Sequence, residues 1–167
     1  MILDFTRAAD RAFVAAAANR ADLEPPLVAA LILQESGGNS RAIRHEPEYR
    51  WLWPGGGPVT PPPGVSLATE IMQQRTSWGL LQVMGAVARE YGCREPFLTA
   101  LVDDPALGVR FGCLHLARLF ARFPGAGREG AVSAYNAGHP TPDNESNYVG
   151  PVIARLGELE RYDWLTC

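Results

Sequence analysis

The run Leu27-Val28-Ala29-Ala30-Leu31-Ile32-Leu33 leads into Gln34-Glu35-Ser36 and then Gly37-Gly38, and this junction constrains the chain more than any other. It reads as a helix that stops at the paired glycines, because glycine enters the left-handed cap conformation without a Cβ penalty. Glu35 then falls in the last turn, near the negative end of the helix dipole, where a carboxylate is disfavoured. Val28, Leu31 and Ile32 lie seven, four and three residues earlier, so Glu35 also shares the apolar stripe. Both effects raise its pKa. A carboxyl in that setting keeps its proton near neutral pH and can donate it. On these residues alone, a solvated glutamate at a helix end is an equally good reading.

Other punctuation divides the remaining chain. An Ala-rich amphipathic helix is predicted from about Asp4 to Asn19, with Phe5, Ala9, Ala12, Phe13 and Ala16 on one face. Asp22 is the expected cap of the second helix, whose first turn takes Pro25 and Pro26. Residues Arg44 to Val65, with Trp51, Trp53, three consecutive glycines and Pro61-Pro62-Pro63, cannot sustain a helix and read as an irregular or partly extended lobe. Its two tryptophans and Tyr49 imply packing or ligand contact. Ser66 starts a short helix to Gln73, and another runs from about Ala86 to Tyr91, stopped by Gly92. Asp104-Pro105 is a cap and first-turn proline. The helix after it carries Phe111, Leu114, Leu116, Leu119 and Phe120 and is expected to be the buried central one. Further helices are predicted over about Arg128 to Asn136, ending at Gly138, and from near Tyr148 to about Arg161. The expectation is a single, mainly α domain over residues 1–167, with a small irregular or β lobe.

Composition excludes several classes. The chain has 167 residues, 47% of them hydrophobic, and a net charge of −3. That balance argues against a broad nucleic-acid-binding surface. All fifteen basic residues are arginine, which looks like coding bias more than chemistry. Cys93, Cys113 and Cys167 form neither a disulfide framework nor a metal-ligand spacing. A Cys93–Cys113 bridge is open, with incidental thiols the simpler reading. His45, His115 and His139 are scattered, so no metal or other cofactor is expected. Ser36 lacks an obvious His–Asp partnership for nucleophilic catalysis. No stretch is long enough to span a membrane. Phe13–Ala18 makes a poor signal peptide, so the chain as given reads as made in a cytoplasm without an export address.

Four short segments occur in order: Glu35-Ser36-Gly37-Gly38-Asn39, then Ser77-Trp78-Gly79-Leu80-Leu81-Gln82-Val83-Met84, then Ala134-Tyr135-Asn136-Ala137-Gly138, and last Glu145-Ser146-Asn147-Tyr148-Val149. Together they resemble the soluble lytic transglycosylase family, across roughly Leu27 to Leu159. The resemblance implies a goose-type lysozyme-like fold beside a saccharide groove. It also implies cleavage of the β-1,4 bond between N-acetylmuramic acid and N-acetylglucosamine in peptidoglycan. By the same resemblance Glu35 is the single acid/base, and the product carries a 1,6-anhydromuramic acid end.

The resemblance further places Gln82 and Met84 in the sugar groove, with Tyr135 and Asn136 as its wall and Tyr148 nearby. Gln82 has a donor and an acceptor for an acetamido group, and Met84 would give adaptable apolar contact. Ser77 is either a partner of Glu35 or substrate, or a turn residue. A Tyr135 hydroxyl near the acid would steady the carboxyl; Tyr148 could instead pack the last helix. The chain departs from the family in one respect. Glu35 and Gln82 are 47 positions apart, a longer gap than in many members. A second carboxylate in the lobe would allow lysozyme-like hydrolysis by a muramidase. Glu46, Glu48, Glu70, Asp143 and Glu145 are available, and the simpler role for Glu46 is an ion pair anchoring the lobe. A non-catalytic wall-binding or virion module is the remaining alternative. The expected partner is a peptidoglycan glycan strand, met by a monomer in the periplasm or after delivery by a phage.

Overall fold

The computed structural model describes residues 1–164, so Cys167 lies outside the described residues. Helix α1 (Ala8–Arg20) is followed by α2 (Pro25–Ser36), strand β1 (Ile43–His45), α3 (Leu67–Gln74), β2 (Thr76–Trp78) and β3 (Val83–Met84). Then come α4 (Gly85–Glu90), α5 (Ala100–Asp103), α6 (Pro105–Arg122), α7 (Gly127–Ala137), a 3-10 turn (Pro142–Asn144), one π-helical turn (Glu145–Val149) and α8 (Gly150–Leu159). The chain is mainly α with a small lobe, as predicted.

The core is organised around α2. Leu27, Val28, Ala29, Ala30, Leu31 and Ile32 are all buried, which leaves that helix no solvent face over six residues. It packs chiefly against α8 and α1. This corrects the expectation that α6 is the central helix. Helix α6 buries Val109, Phe111, Cys113, Leu116 and Leu119, but Leu114 is exposed and Phe120 only half-buried. Arg110 and Arg118 interleave with those apolar residues and keep one side of α6 in water.

Helix α1 starts four residues later than predicted. Asp4 explains the delay: its carboxylate accepts from the Thr6 N–H at 3.0 Å and the Thr6 hydroxyl at 2.7 Å, holding a turn that competes with helix. The buried residues of α1 are Asp10, Val14, Ala15 and Ala18, whereas Ala9 and Ala16 are exposed, so the predicted face is rotated. Asp22 is not a cap. It adopts a left-handed turn (φ 55°), and Glu24 occupies the cap position of α2. Two other caps are where the sequence puts them: Ser66 accepts from Thr69, and Asp104 from Ala106 and Leu107.

The three strands form an antiparallel sheet in the order β1-β2-β3, with Arg44 opposite Ser77 and Trp78 opposite Val83. Between β1 and α3 the chain is irregular, yet it is tied down. The Glu46 N–H donates to Arg75 O at 2.7 Å. The Gln74 side chain clamps the Trp53 backbone, accepting its N–H at 2.7 Å and donating to its carbonyl at 3.1 Å. Gln74 also donates to Glu70, which is buried and paired with Arg89. Cys93 and Cys113 are buried free thiols, and burial pushes the Cys113 thiol up to about 12.

Candidate active site

Glu35 projects from the last turn of α2, and the Gly37 cap is left-handed (φ 60°) as the sequence requires. Gly38 is needed for a second reason. It carries φ 81°, and a Cβ there would stand 2.8 Å from Leu3 O, where the N-terminal segment crosses the helix end. Glu35 is partly buried, and burial raises its pKa. Two weaker influences oppose that rise: a hydrogen bond from Tyr148 and the charge of Arg44 on β1.

The hydroxyl on the acid comes from Tyr148, not Tyr135. Tyr148 Oη donates to Glu35 Oε1 across 113 positions of sequence. The π-helical turn carries Tyr148 there, in place of the helix start predicted at that residue; regular α8 begins only at Gly150. Burial and the neighbouring carboxyl push the Tyr148 phenol far above its ordinary range, so it remains a donor. Glu35 Oε2 accepts no hydrogen bond among the described residues and is not one of their buried, unpartnered side-chain atoms.

Most other motif residues hold one loop in shape. Tyr135 donates to Leu81 O at 2.8 Å, and Ser36 donates to Leu80 O at 2.8 Å. Ser77 is buried in β2, and its hydroxyl, with one proton to share, donates toward Gln82 Oε1 at 2.9 Å and Arg44 O at 3.2 Å. Gln82 Nε2 donates to Gly79 O at 2.8 Å and Ala42 O at 3.1 Å. Gln82 is thus engaged inside the protein, in a left-handed conformation rare for its type (φ 45°). Gly79 turns the same loop at φ 72°, and a Cβ there would meet Leu101 O at 2.9 Å. Met84 is half-exposed beside it, and Asn136 is exposed on the last turn of α7.

The alternative carboxylates fall into two groups. Glu46 pairs with its near neighbour Arg44 at 2.5 Å, within the lobe itself. Glu70 is saturated by Arg89, Gln73 and Gln74 in the interior. Glu48, Asp143 and Glu145 are exposed. Of the histidines, His45 bonds Thr76, and His139 is exposed. His115 bonds the Tyr91 hydroxyl at 2.8 Å, and burial holds its pKa down to about 4. No cluster of three metal-ligating side chains occurs among the described residues.

Sequence reasoning missed two supports of the acid. Ser36 ties the end of α2 to the β2–β3 loop, and its place inside the first motif is the signal that could have found it. Arg155 on α8 donates to Gln34 Oε1 at 2.7 Å, fixing the residue beside Glu35; nothing local announces that contact.

The fold is similar to that of a solved inactive mutant of the lytic transglycosylase Slt from Pseudomonas aeruginosa, with a TM-score of 0.60 at 21% identity. The match covers 90% of this chain and 24% of that one, so the chain spans about a quarter of the length of its structural relative. Residues 12–151, which include Glu35, the β2–β3 loop, Tyr135 and Tyr148, match the transglycosylase SLT domain, and the chain belongs to that family.

Proposed function

We propose that this chain is a peptidoglycan lytic transglycosylase in which Glu35 acts alone as acid and then as base. The observation that carries the reading is Glu35 itself: a partly buried carboxyl with a raised pKa, one oxygen held by Tyr148 and the other open. In the first step the Glu35 carboxyl gives its proton to the glycosidic oxygen as the bond from that oxygen to muramic acid C1 breaks. The acetamido oxygen of the same sugar supports the positive charge at C1. In the second step the Glu35 carboxylate takes the proton of the C6 hydroxyl, and O6 bonds to C1. The acid is regenerated, no water is consumed, and the new end is a 1,6-anhydro sugar.

Each protein group has a part in this scheme. Tyr148 orients the carboxyl and stabilises the carboxylate formed between the steps. Arg44 adds a positive field to the same intermediate, favouring proton release. Ser36, Ser77, Gln82 and Tyr135 keep the β2–β3 loop rigid, with Met84 and Asn136 on the groove surface. The glycan strand is the partner, and the bacterial cell wall is the place of action. Among the described residues no helix is long and apolar enough to cross a membrane.

Digestion of purified peptidoglycan in 18O-labelled water tests the mechanism. The expected products are anhydromuramyl ends without label. Reducing ends carrying one 18O atom would overturn the single-acid mechanism in favour of hydrolysis with a second carboxylate.

A further inference from the structure

The lobe between β1 and α3 holds its two tryptophans out in solvent. Trp51 is 71% exposed and Trp53 43%, although indole rings are among the side chains that gain most from burial. The backbone carrying them is nonetheless fixed. Gln74, itself 1% exposed, clamps Trp53 on both sides of its peptide and is bonded in turn to the buried Glu70–Arg89 pair. Tyr49 packs edge-on against Trp51 at 5.5 Å, and the Arg50 guanidinium lies over the Trp51 ring at 5.9 Å. A loop that merely connects two elements needs none of this. Rings presented on a scaffold rooted in the core are preorganised for a ligand.

The lobe begins within electrostatic reach of the acid. At its near end Arg44 acts on Glu35 and pairs with Glu46. Further along, Tyr49 lies within electrostatic reach of Glu90 and Tyr91 at the end of α4. Tyr91 bonds His115, whose ring lies 5.2 Å from that of Tyr135, and Tyr135 holds the loop beside the acid. Ring contacts thus join Trp51 to Tyr49 in the lobe and, as a separate group, Tyr91 to His115 and Tyr135. An N-acetylhexosamine ring has a face of polarised C–H bonds that suits the negative face of an indole. The acidic peptide stems of such a strand would find Arg50 beside the platform.

We propose that Trp51 and Trp53 form an auxiliary glycan-binding platform that holds the N-acetylhexosamine strand at a distance from the bond Glu35 cleaves. The proposal rests on the reading of this chain as a peptidoglycan-cleaving enzyme, and its test is made without turnover. The probes are N-acetylglucosamine trimer and hexamer, titrated by calorimetry and indole fluorescence into full-length Glu35→Gln protein. The comparison is with the same protein carrying Trp51→Ala and Trp53→Ala. The expected result is hexamer binding about tenfold tighter than trimer, a preference that falls to less than about threefold without the two rings. Trp51→Phe should restore part of the preference, and melting temperature should change little, because Trp51 is mostly exposed and the Gln74 clamp holds the Trp53 backbone, which alanine keeps. An unchanged hexamer preference in the double variant overturns the platform. Equal loss of trimer and hexamer binding also overturns it, since the lobe would then shape the whole groove. Trp51-dependent self-association without sugar binding would assign the rings to a protein contact instead. Each of these can occur while Glu35→Gln still abolishes cleavage, so the platform can fail without the enzymatic reading failing.

Discussion

Glu35 and Glu70 are the same residue type, both withdrawn from water, and their surroundings are opposite in kind. Glu70 receives four hydrogen bonds, two from Arg89 at 2.8 and 2.9 Å and one each from Gln73 and Gln74. Every acceptor position is occupied and no proton could be exchanged with a ligand without dismantling the interior. Among the described residues Glu35 receives one hydrogen bond, from a neutral phenol, and has a cation only in the surrounding field. Withdrawal from water alone therefore does not make a carboxyl reactive. What matters is how few donors accompany the burial, and whether one oxygen is left open.

The largest expected effect separates the two sites directly. Glu35→Gln should lower kcat by about 10²–10⁴-fold, the range for loss of a general acid–base, measured as release of soluble muropeptides. Its effect on stability should be favourable. Because the folded-state pKa of Glu35 is raised, the folded chain holds its proton more tightly than the unfolded chain does. Stability is thus lost as pH rises through the folded pKa, and glutamine removes that loss. The variant should melt higher than wild type at neutral pH, with the difference shrinking as pH falls toward the ordinary carboxyl range. Near-native turnover would break the assignment of Glu35 as the acid.

Glu70→Gln should show the converse. It leaves Arg89 buried without its counter-charge and should lower unfolding free energy by about 3–5 kcal/mol, read by denaturant titration. A second change, Arg89→Met, should recover part of that loss. If Glu70→Gln instead removed turnover with stability intact, the contrast between the sites would collapse and Glu70 would become a candidate second carboxylate.

Tyr148→Phe sharpens the contrast by taking away the one donor that Glu35 has among the described residues. A fall of about tenfold in kcat is expected, within the worth of a hydrogen bond to a charged group. The pH profile is the more specific readout. In wild type the rate should decline on the alkaline side as Glu35 loses its proton, above the usual carboxyl range. The Tyr148 bond favours the carboxylate, so its loss raises the pKa further and moves that limb to higher pH. A purely structural Tyr148 would lower the rate and leave the limb in place.

The features legible in the sequence were those decided within a few residues. The Gly37-Gly38 stop, the Ser66 and Asp104 caps and the Gly138 stop are local physics, and all are where the sequence places them. The setting of Glu35 and its raised pKa were readable because its helix, its stripe and its stop lie within ten residues of it. What escaped was decided across the fold. The start of α1 depends on an Asp4 turn that outcompetes helix, and the central place of α2 depends on α8 and α1 covering it from both sides. Two tyrosines in similar motifs could each have reached the acid. Only the π-helical turn, which no residue pattern announces, sends Tyr148 to Glu35 and leaves Tyr135 to Leu81.

Tyr135 therefore supplies the smallest effect and the closest control. Tyr135→Phe keeps the ring beside His115 and removes only the hydrogen bond to Leu81 O. The carbonyl is partly sheltered, so about 1 kcal/mol of stability should be lost, the usual net value for one such bond. Turnover should fall no more than a few-fold, through a loop held slightly less firmly. The alkaline limb should not move, because the Tyr135 hydroxyl donates to Leu81 O and not to the Glu35 carboxyl. A shift of that limb equal to the one from Tyr148→Phe would mean that the two hydroxyls serve the acid together, and the division drawn between them would have to be abandoned.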